Sequence, residues 1–530
     1  VPEWIVIVQQ GIHALDARPG RVRTPRLASS TALTLALVAA AVAAAGVVAI
    51  ASSGQPASGS TVRVRQPKSV TSVLTGSPAA VSASAARMLL ASAPAAVVAN
   101  AGSRADVAMA AKYARHAHAP LLLMSARDSG MAQTTALRGA VRALAPRAVL
   151  AVGVSSHALA AELPGVSIVT TASALPATGA AVPLRHVAVL VHPGRSATSS
   201  ALAIATATTA QAAGAQVIDL PGYDPRADPA AISALAAAKP QHVLGIGSGF
   251  GTAGLLASRI AVAETGAQLP GGGQVLFPMR RIVALYGSPG TPALGALGQQ
   301  DLAASISRVR QVAAQYSALS KVPVIPAFEI IATVAQGSPG PDHTYSYESS
   351  VASLRPWVTA AAKAGLYVTL DLQPGRANLL TQAKRYRSLL KLPNVGLALD
   401  PEWKLQPGQL PLHQIGSVSI AEVNSVVSWL ARLTARYRLP QKLLELHEFR
   451  LTMIQDVQRL DTRHDDLAIV INMDGQGAPT TKRQTWRAVV AGAPKGVFFG
   501  WKDFYVKDTP MLGPRQTMNH FPQPVLISYQ

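Results

Sequence analysis

Eight short apolar runs along residues 281–530 constrain this 530-residue chain more than any other feature. They are RIVALYGS (281–288), VPVIPAFEI (322–330), LYVTLDLQP (366–374), VGLALDPEW (395–403), KLLELHEF (442–449), LAIVINMDG (467–475), GVFFGWKDF (496–504) and VLISYQ (525–530). Helical periodicity fills most intervals, at 350–363, 376–391, 420–438 and 481–491 for example. Strands alternating with helices at this rhythm, over about 250 residues, match a (β/α)8 barrel. The expected architecture is therefore α/β with a C-terminal TIM barrel over 281–530.

Nearly every run begins apolar and ends on a polar group: Tyr286, Glu329, Asp371, Asp400 with Glu402, His447, Asp474, Lys502 and Tyr529. In such barrels the active site lies at the C-terminal ends of the strands. Side chains alternate along a strand, so Asp400 and Glu402 are expected to share a direction, as are Glu445 with His447 and Asn472 with Asp474. Paired carboxylates beside aromatic surfaces suit glycosidic cleavage, in which one carboxyl protonates the leaving oxygen and the other acts as base or nucleophile. Asp400, Glu402 and Asp474 are the expected acid/base residues. Glu329, Asp371, His447 and Lys502 are expected to orient substrate or tune those carboxyls. Tyr286, Trp403, Trp501 and Tyr529 are expected to line the substrate site, with Phe449 as a further stacking surface.

Other chemistries fit less well. The chain has no cysteine, which removes disulfides, thiolate metal sites and a cysteine nucleophile. His447-Glu448 opens a zinc-protease pattern, but Leu451 stands where the second histidine belongs. With essentially one histidine at the strand ends, neither a metal nor another cofactor is expected. Lys502 could form a Schiff base, although a lysine among carboxylates is more often an ion-pair partner. The barrel segment lacks a Gly-x-Ser-x-Gly nucleophile elbow.

Upstream, residues 31–51 are uncharged and long enough to span a bilayer, and Arg18, Arg21, Arg23 and Arg26 precede them. A signal peptide or membrane anchor is expected there, behind an N-terminal segment 1–30 that is cytoplasmic or without function. Export to the cell surface or beyond follows. The Ser/Ala/Pro/Gly-rich stretch 52–93 reads as a linker. From 94 to 275, short apolar runs alternate with Ala-rich helical stretches, predicting Rossmann-like parallel α/β units. Pro146 precedes Val149-Leu150 and Gly153 at the same spacing as Pro240 precedes Val243-Leu244 and Gly247. VVANAG, ending at Gly102, likewise answers VLVHPG, ending at Gly194, so two diverged copies of one unit are expected. Gly247-Ser248-Gly249-Phe250-Gly251 lacks full dinucleotide spacing and reads as a strand-to-helix turn.

Residues 96–126 (AVVANAGSRADVAMAAKYARHAHAPLLLMSA), with ALRGAVRALAPRAVLAVG ending at Gly153, resemble the cell wall-binding repeat 2 family of Gram-positive surface proteins. The likeness departs from the family at Ser103-Arg104, where Phe-Pro is usual, and at Val154 after Gly153. It implies attachment to an anionic wall polymer. Between 52 and 280 there are 17 Lys/Arg against 7 Asp/Glu, within a whole-chain net charge of +21, which agrees in sign. In an exported protein, nucleic acid is a poor partner for that charge. The barrel segment resembles a secreted domain of high-GC Gram-positive bacteria through LYGSPGTPALGALG (285–298), VIPAFEIIATVA (324–335), GLALDPEW (396–403) and NMDGQG (472–477), a likeness that implies a fold but no activity. The expectation is a cell-envelope, carbohydrate-active, glycoside-hydrolase-like enzyme that binds wall polysaccharide. The alternative is a non-catalytic wall-binding protein on a degenerate barrel.

Overall fold

The computed structural model describes residues 61–125 and 131–530. The expected signal or anchor at 31–51, and the segment before it, lie outside the described residues. Among the described residues, no helix is long and apolar enough to cross a membrane.

Eight parallel strands close into a barrel: β1 (Arg281–Gly287), β2 (Val324–Ala335), β3 (Tyr367–Leu372), β4 (Val395–Leu399), β5 (Lys442–His447), β6 (Leu467–Met473), β7 (Phe498–Asp503) and β8 (Leu526–Tyr529). Each pairs with the next in sequence, and β8 returns to β1 through Ile282–Leu526 and its neighbours. Helices Leu302–Ser317, Val351–Lys363, Leu379–Arg385, Ile420–Arg436 and Pro479–Gly492 lie in the intervals. The stretch read as one helix over 376–391 is two, broken at Tyr386. Between β5 and β6 no α-helix forms, and a short strand (Ile454–Gln455) with a 3-10 turn fills the gap.

Ile420–Arg436 shows how sequence builds the outer layer. The Ser419 hydroxyl accepts from the Glu422 amide and satisfies one of the orphan donors at the helix start. Val423, Val426, Val427, Leu430 and Leu433 then recur on one face and are buried against the strands. Truncating such a core leucine typically costs about 2–5 kcal/mol.

Period-two alternation sorts each strand. On β5, Leu444 and Leu446 join the outer core beneath the helices. Leu443, between them in parity, joins the plug at the N-terminal end of the barrel with Ile282, Ala327, Tyr367 and Val470. Tyr367 has room there because Gly396, on neighbouring β4, carries no side chain: a Cβ would fall 3.0 Å from the Tyr367 hydroxyl. The lower half of the barrel is thus dry and filled. The inward side chains of Tyr286, Glu329, Asp371, Glu445 and His447 lie nearer the C-terminal ends of their strands.

Residues 71–246 carry two four-stranded parallel sheets. One orders Leu121–Met124, Ala95–Asn100, Ala148–Val152 and Ser167–Val169; the other orders Thr71–Leu74, His242–Ile246, Val187–Val191 and Gln216–Asp219. The segments aligned in the sequence occupy matching places, Ala95–Asn100 with Val187–Val191 and Ala148–Val152 with His242–Ile246. The stretch expected to be a linker is folded from residue 61 onward. Pro78–Leu89 is a helix capped by Ser77, with its small side chains buried between the sheets. Alanine is the best helix former, so a composition resembling a linker also suits a helix once another surface covers it. Hydroxyls seal the edge strand beside it, the amides of Leu121 and Leu123 donating to Thr209 (3.0 Å) and Ser82 (3.0 Å).

This region docks on the N-terminal end of the barrel. Arg226 and Arg259 each reach Asp465, just ahead of β6, at 2.7 Å. Gln441, just ahead of β5, donates its amide to Gln274 (2.8 Å) and accepts from Leu276 (2.9 Å). The opposite mouth, where the strands end, faces away from this contact.

Candidate active site

The inward positions turn polar toward the C-terminal mouth: Tyr286 on β1, Glu329 on β2, Asp371 on β3, Glu445 and His447 on β5, Asn472 on β6, Lys502 on β7 and Ser528 on β8. Asp400 and Asp474 follow β4 and β6 directly, and all of these residues are buried. His447 is the hub. Its Nδ1 lies 3.1 Å from Asp474 Oδ2. Its Nε2 lies 2.9 Å from Glu329 Oε1, 3.7 Å from Glu445 Oε1 and 4.0 Å from Asp371 Oδ1.

Further polar groups hold these carboxylates in place. Asn472 Nδ2 donates to Glu445 Oε1 (2.6 Å) and to Ser528 Oγ (3.3 Å). The Tyr286 hydroxyl donates to Asp371 Oδ2 (3.1 Å) and accepts from Gln373 Nε2 (3.2 Å). Lys502 Nζ stands 3.4 Å from the centre of the Tyr286 ring, a cation–π contact.

Asp400, Glu402 and Asp474 form a second group, with one oxygen of each within 4.8 Å of the others. Strand alternation is not what brings Asp400 and Glu402 together. β4 ends at Leu399, and Pro401–Trp403 is a 3-10 turn that carries Glu402 back over the mouth. The turn is fixed by its neighbours: Gly416 donates its amide to the Glu402 carbonyl (2.7 Å), and Lys404 reaches Glu422 (3.0 Å). Glu402 is half-buried, while its two partners are covered.

So many carboxyls in a dry space cannot all ionise at ordinary pH. Burial pushes Asp371 up to about 6. Burial, reinforced by Asp474, pushes Glu402 up to about 8. Asp400 is held well above the carboxylate range by burial and then by Glu402, and Glu445 by burial and then by Glu329. Glu448, covered beside this group, is pushed to about 7 by burial and then by Asp474. For His447, burial favours the neutral ring, but the carboxylates of Asp474 and Glu329 outweigh it and raise the imidazole well above its usual value. Lys502 is raised in the same way, burial opposing and Glu329 and Asp474 prevailing.

Two expected lining residues are not brought to this mouth. Trp501 occupies an outward position on β7, fully buried against Trp486 and His520, and its indole donates to Asp503 (2.6 Å). Tyr529 is outward on β8, its hydroxyl 2.5 Å from that of Tyr316 on the helix behind. Both therefore belong to the outer core, because parity sends them opposite to Lys502 and Ser528. Trp403 is nearly covered at the 3-10 turn, and Phe449 is half-buried just past β5. Five residues not singled out as site residues do belong to the cluster or border it: Glu445, Asn472, Ser528, Gln373 and Glu448. Parity already carried the signal for the first three.

The region 71–246 has a feature of its own. A cleft of about 240 Å³ opens where strands of its second sheet end, lined by Thr75, His192, Ser196, Ser199 and Ser248. The Gly247–Gly251 segment is a 3-10 turn between strand and helix, and Gly249 lets it pack on Tyr223, whose ring a Cβ would meet at 2.4 Å. Comparisons with protein-family profiles, with curated proteins and with solved structures each find no match.

Proposed function

We propose that the protein is a cell-envelope glycoside-hydrolase-like enzyme that works with retention of configuration. The observation carrying this reading is the pairing of Glu402, whose carboxyl stays protonated up to about pH 8, with Asp474 on the same rim. Glu402 protonates the glycosidic oxygen as it leaves. Asp474, oriented by His447 Nδ1 and with Oδ1 unengaged, attacks the anomeric carbon. Glu402, now ionised, then takes a proton from the water that releases the sugar. One oxygen of Glu402 and one of Asp474 lie within 4.8 Å of each other, on the short side of the separations of about 5–5.5 Å for retention and about 6.5–9.5 Å for inversion, so retention is the form proposed. Lys502, close to Asp400 and Asp474, limits the charge that must be neutralised.

The envelope location rests on the uncharged stretch 31–51 behind its arginines, and attachment to an anionic wall polymer on the 17 Lys/Arg against 7 Asp/Glu between 52 and 280. The hydroxyl-lined cleft at helix N-termini in that region suits an anionic polymer segment. The test is release of reducing ends by the full chain from a panel of cell-envelope glycans, beside Glu402→Gln and Asp474→Asn. Loss of about a thousandfold in turnover in each, with folding intact, supports the assignment. No turnover of any glycan by the unaltered protein favours a non-catalytic wall-binding protein instead.

A further inference from the structure

Deeper in the barrel than the Glu402–Asp474 pair, Nε2 of His447 faces oxygens of three carboxyl groups. Glu329, Glu445 and His447 each offer an atom within 4.8 Å of the other two. All three are fully buried, as is Asp371. Despite that burial, both Glu329 oxygens, Glu445 Oε2, Asp371 Oδ1 and His447 Nε2 have no directed hydrogen-bond partner. Nε2 is 2.9 Å from Glu329 Oε1, yet it makes no aligned hydrogen bond to that oxygen. Each unmet buried polar atom costs about 1–3 kcal/mol, so a cluster of them needs an occupant.

We infer that the barrel binds one divalent cation of the zinc or manganese class here, ligated by His447 Nε2 and by carboxylate oxygens of Glu329, Glu445 and Asp371. Three features support it. Metal–nitrogen and metal–oxygen bonds of about 2.0–2.2 Å place neighbouring ligand atoms about 3–3.5 Å apart. The separations from Nε2 of 2.9, 3.7 and 4.0 Å bracket that range and need only small side-chain adjustments. Each of three ligands is also steered from behind: His447 by Asp474 at Nδ1, Glu445 by Asn472 and Asp371 by Tyr286. A carboxylate on the far nitrogen of a ligating histidine is the usual outer-shell arrangement of metal sites. Finally, the mouth gathers six carboxyls, and with His447 ligating through an unprotonated Nε2, Lys502 is left as their cationic partner, so a divalent ion offsets the excess. One imidazole among carboxylates favours zinc or manganese over calcium, which takes oxygen alone. A single histidine suffices because carboxylates fill the other places.

The inference does not depend on the hydrolase reading, and its test uses no glycan. The full-length protein, stripped with chelator, is titrated calorimetrically with zinc chloride and, separately, manganese chloride. One equivalent is expected, with affinity falling at least about a hundredfold in His447→Gln and in Glu329→Gln and unchanged in Glu402→Gln. Absence of binding overturns the proposal. So does binding that survives His447→Gln but is lost in Glu402→Gln, which would put the ion among Asp400, Glu402 and Asp474. If His447→Gln does not fold, zinc-edge X-ray absorption of the unaltered protein decides. One imidazole among oxygens upholds the site, and an all-oxygen shell refutes it.

Discussion

Lys442 begins β5 at the N-terminal end of the barrel, fully buried, and its ammonium donates to the backbone carbonyls of Leu392 and Pro393. Burial lowers it from 10.5 to about 7, with no carboxylate opposing the shift. Between those values the unfolded chain holds a proton that the folded one gives up. Stability attributable to this residue is therefore complete above about pH 10.5 and is lost as pH falls toward 7. The full shift corresponds to about 5 kcal/mol, and the part of it between about pH 6 and pH 9 to about 2–3 kcal/mol. Lys442→Met removes that dependence but leaves two carbonyls without their donor, at about 2 kcal/mol. The variant is thus expected to be more stable by about 2–3 kcal/mol near pH 6, with the advantage gone near pH 9.

Urea unfolding followed by tryptophan fluorescence reads this mainly from the barrel. Of the six tryptophans, Trp357, Trp403, Trp429, Trp486 and Trp501 lie in 281–530, and Trp4 is outside the described residues. A stability difference independent of pH would show that Lys442 is not a desolvated ammonium. A wild type that stays the more stable near pH 6 would refute the arithmetic.

If Glu402 is the proton donor, kcat/KM on a responsive glycan should fall about tenfold per pH unit above about 8, and Glu402→Gln should erase that limb; a limb surviving in the variant assigns the acid elsewhere. Asp465→Ala should loosen the docking of the N-terminal region by about 1–3 kcal/mol, since buried Arg226 loses a carboxylate and keeps Asp224 and the backbone carbonyl of residue 465. Faster proteolytic cutting within 264–280 would register it, and an unchanged cutting rate would show that the contact contributes little. Gly500→Ala places a Cβ 2.8 Å from Asn472 Oδ1; it should disturb the Asn472–Glu445 bond and lower barrel stability by about 1–3 kcal/mol in the same urea assay, and a shift within error would show that the neighbour yields freely. Trp501→Phe should cost about 1–3 kcal/mol of stability through the lost Asp503 bond and packing while leaving glycan turnover near wild type; a selective loss of turnover would return Trp501 to the site.

The barrel was legible because its evidence is redundant. Each of the eight runs has a length suited to a strand, a helical interval beside it in most cases and, in all but the last, a polar end that lands on one mouth. The exceptions have local causes. The helix read over 376–391 breaks at Tyr386, whose hydroxyl is tied to the carbonyls of Ala332 (2.8 Å) and Ser349 (2.9 Å). The supposed linker before residue 94 contains a helix because alanine and serine do not reveal whether a second surface will cover them. Here one does, and Ser82 caps an edge amide on a strand some forty residues away, a long-range contact that local composition does not encode.

For the site, strand parity is the dependable guide. Applied to β5 and β6, it pairs Glu445 with His447 and Asn472 with Asp474, as found. Applied equally to β7 and β8, it excludes Trp501 and Tyr529 once Lys502 and Ser528 are taken as inward, without any structure. Past the strand end at Leu399 it has no authority, and the 3-10 turn decides where Glu402 goes. Depth was not legible at all. A string of letters shows carboxylates at strand ends but not that Glu329, Asp371 and Glu445 are sealed from water with acceptor atoms unmet. That difference changes the chemistry. Open to solvent, these groups would be an ordinary acidic rim, each ionised and screened. Enclosed, they must bind protons or a cation.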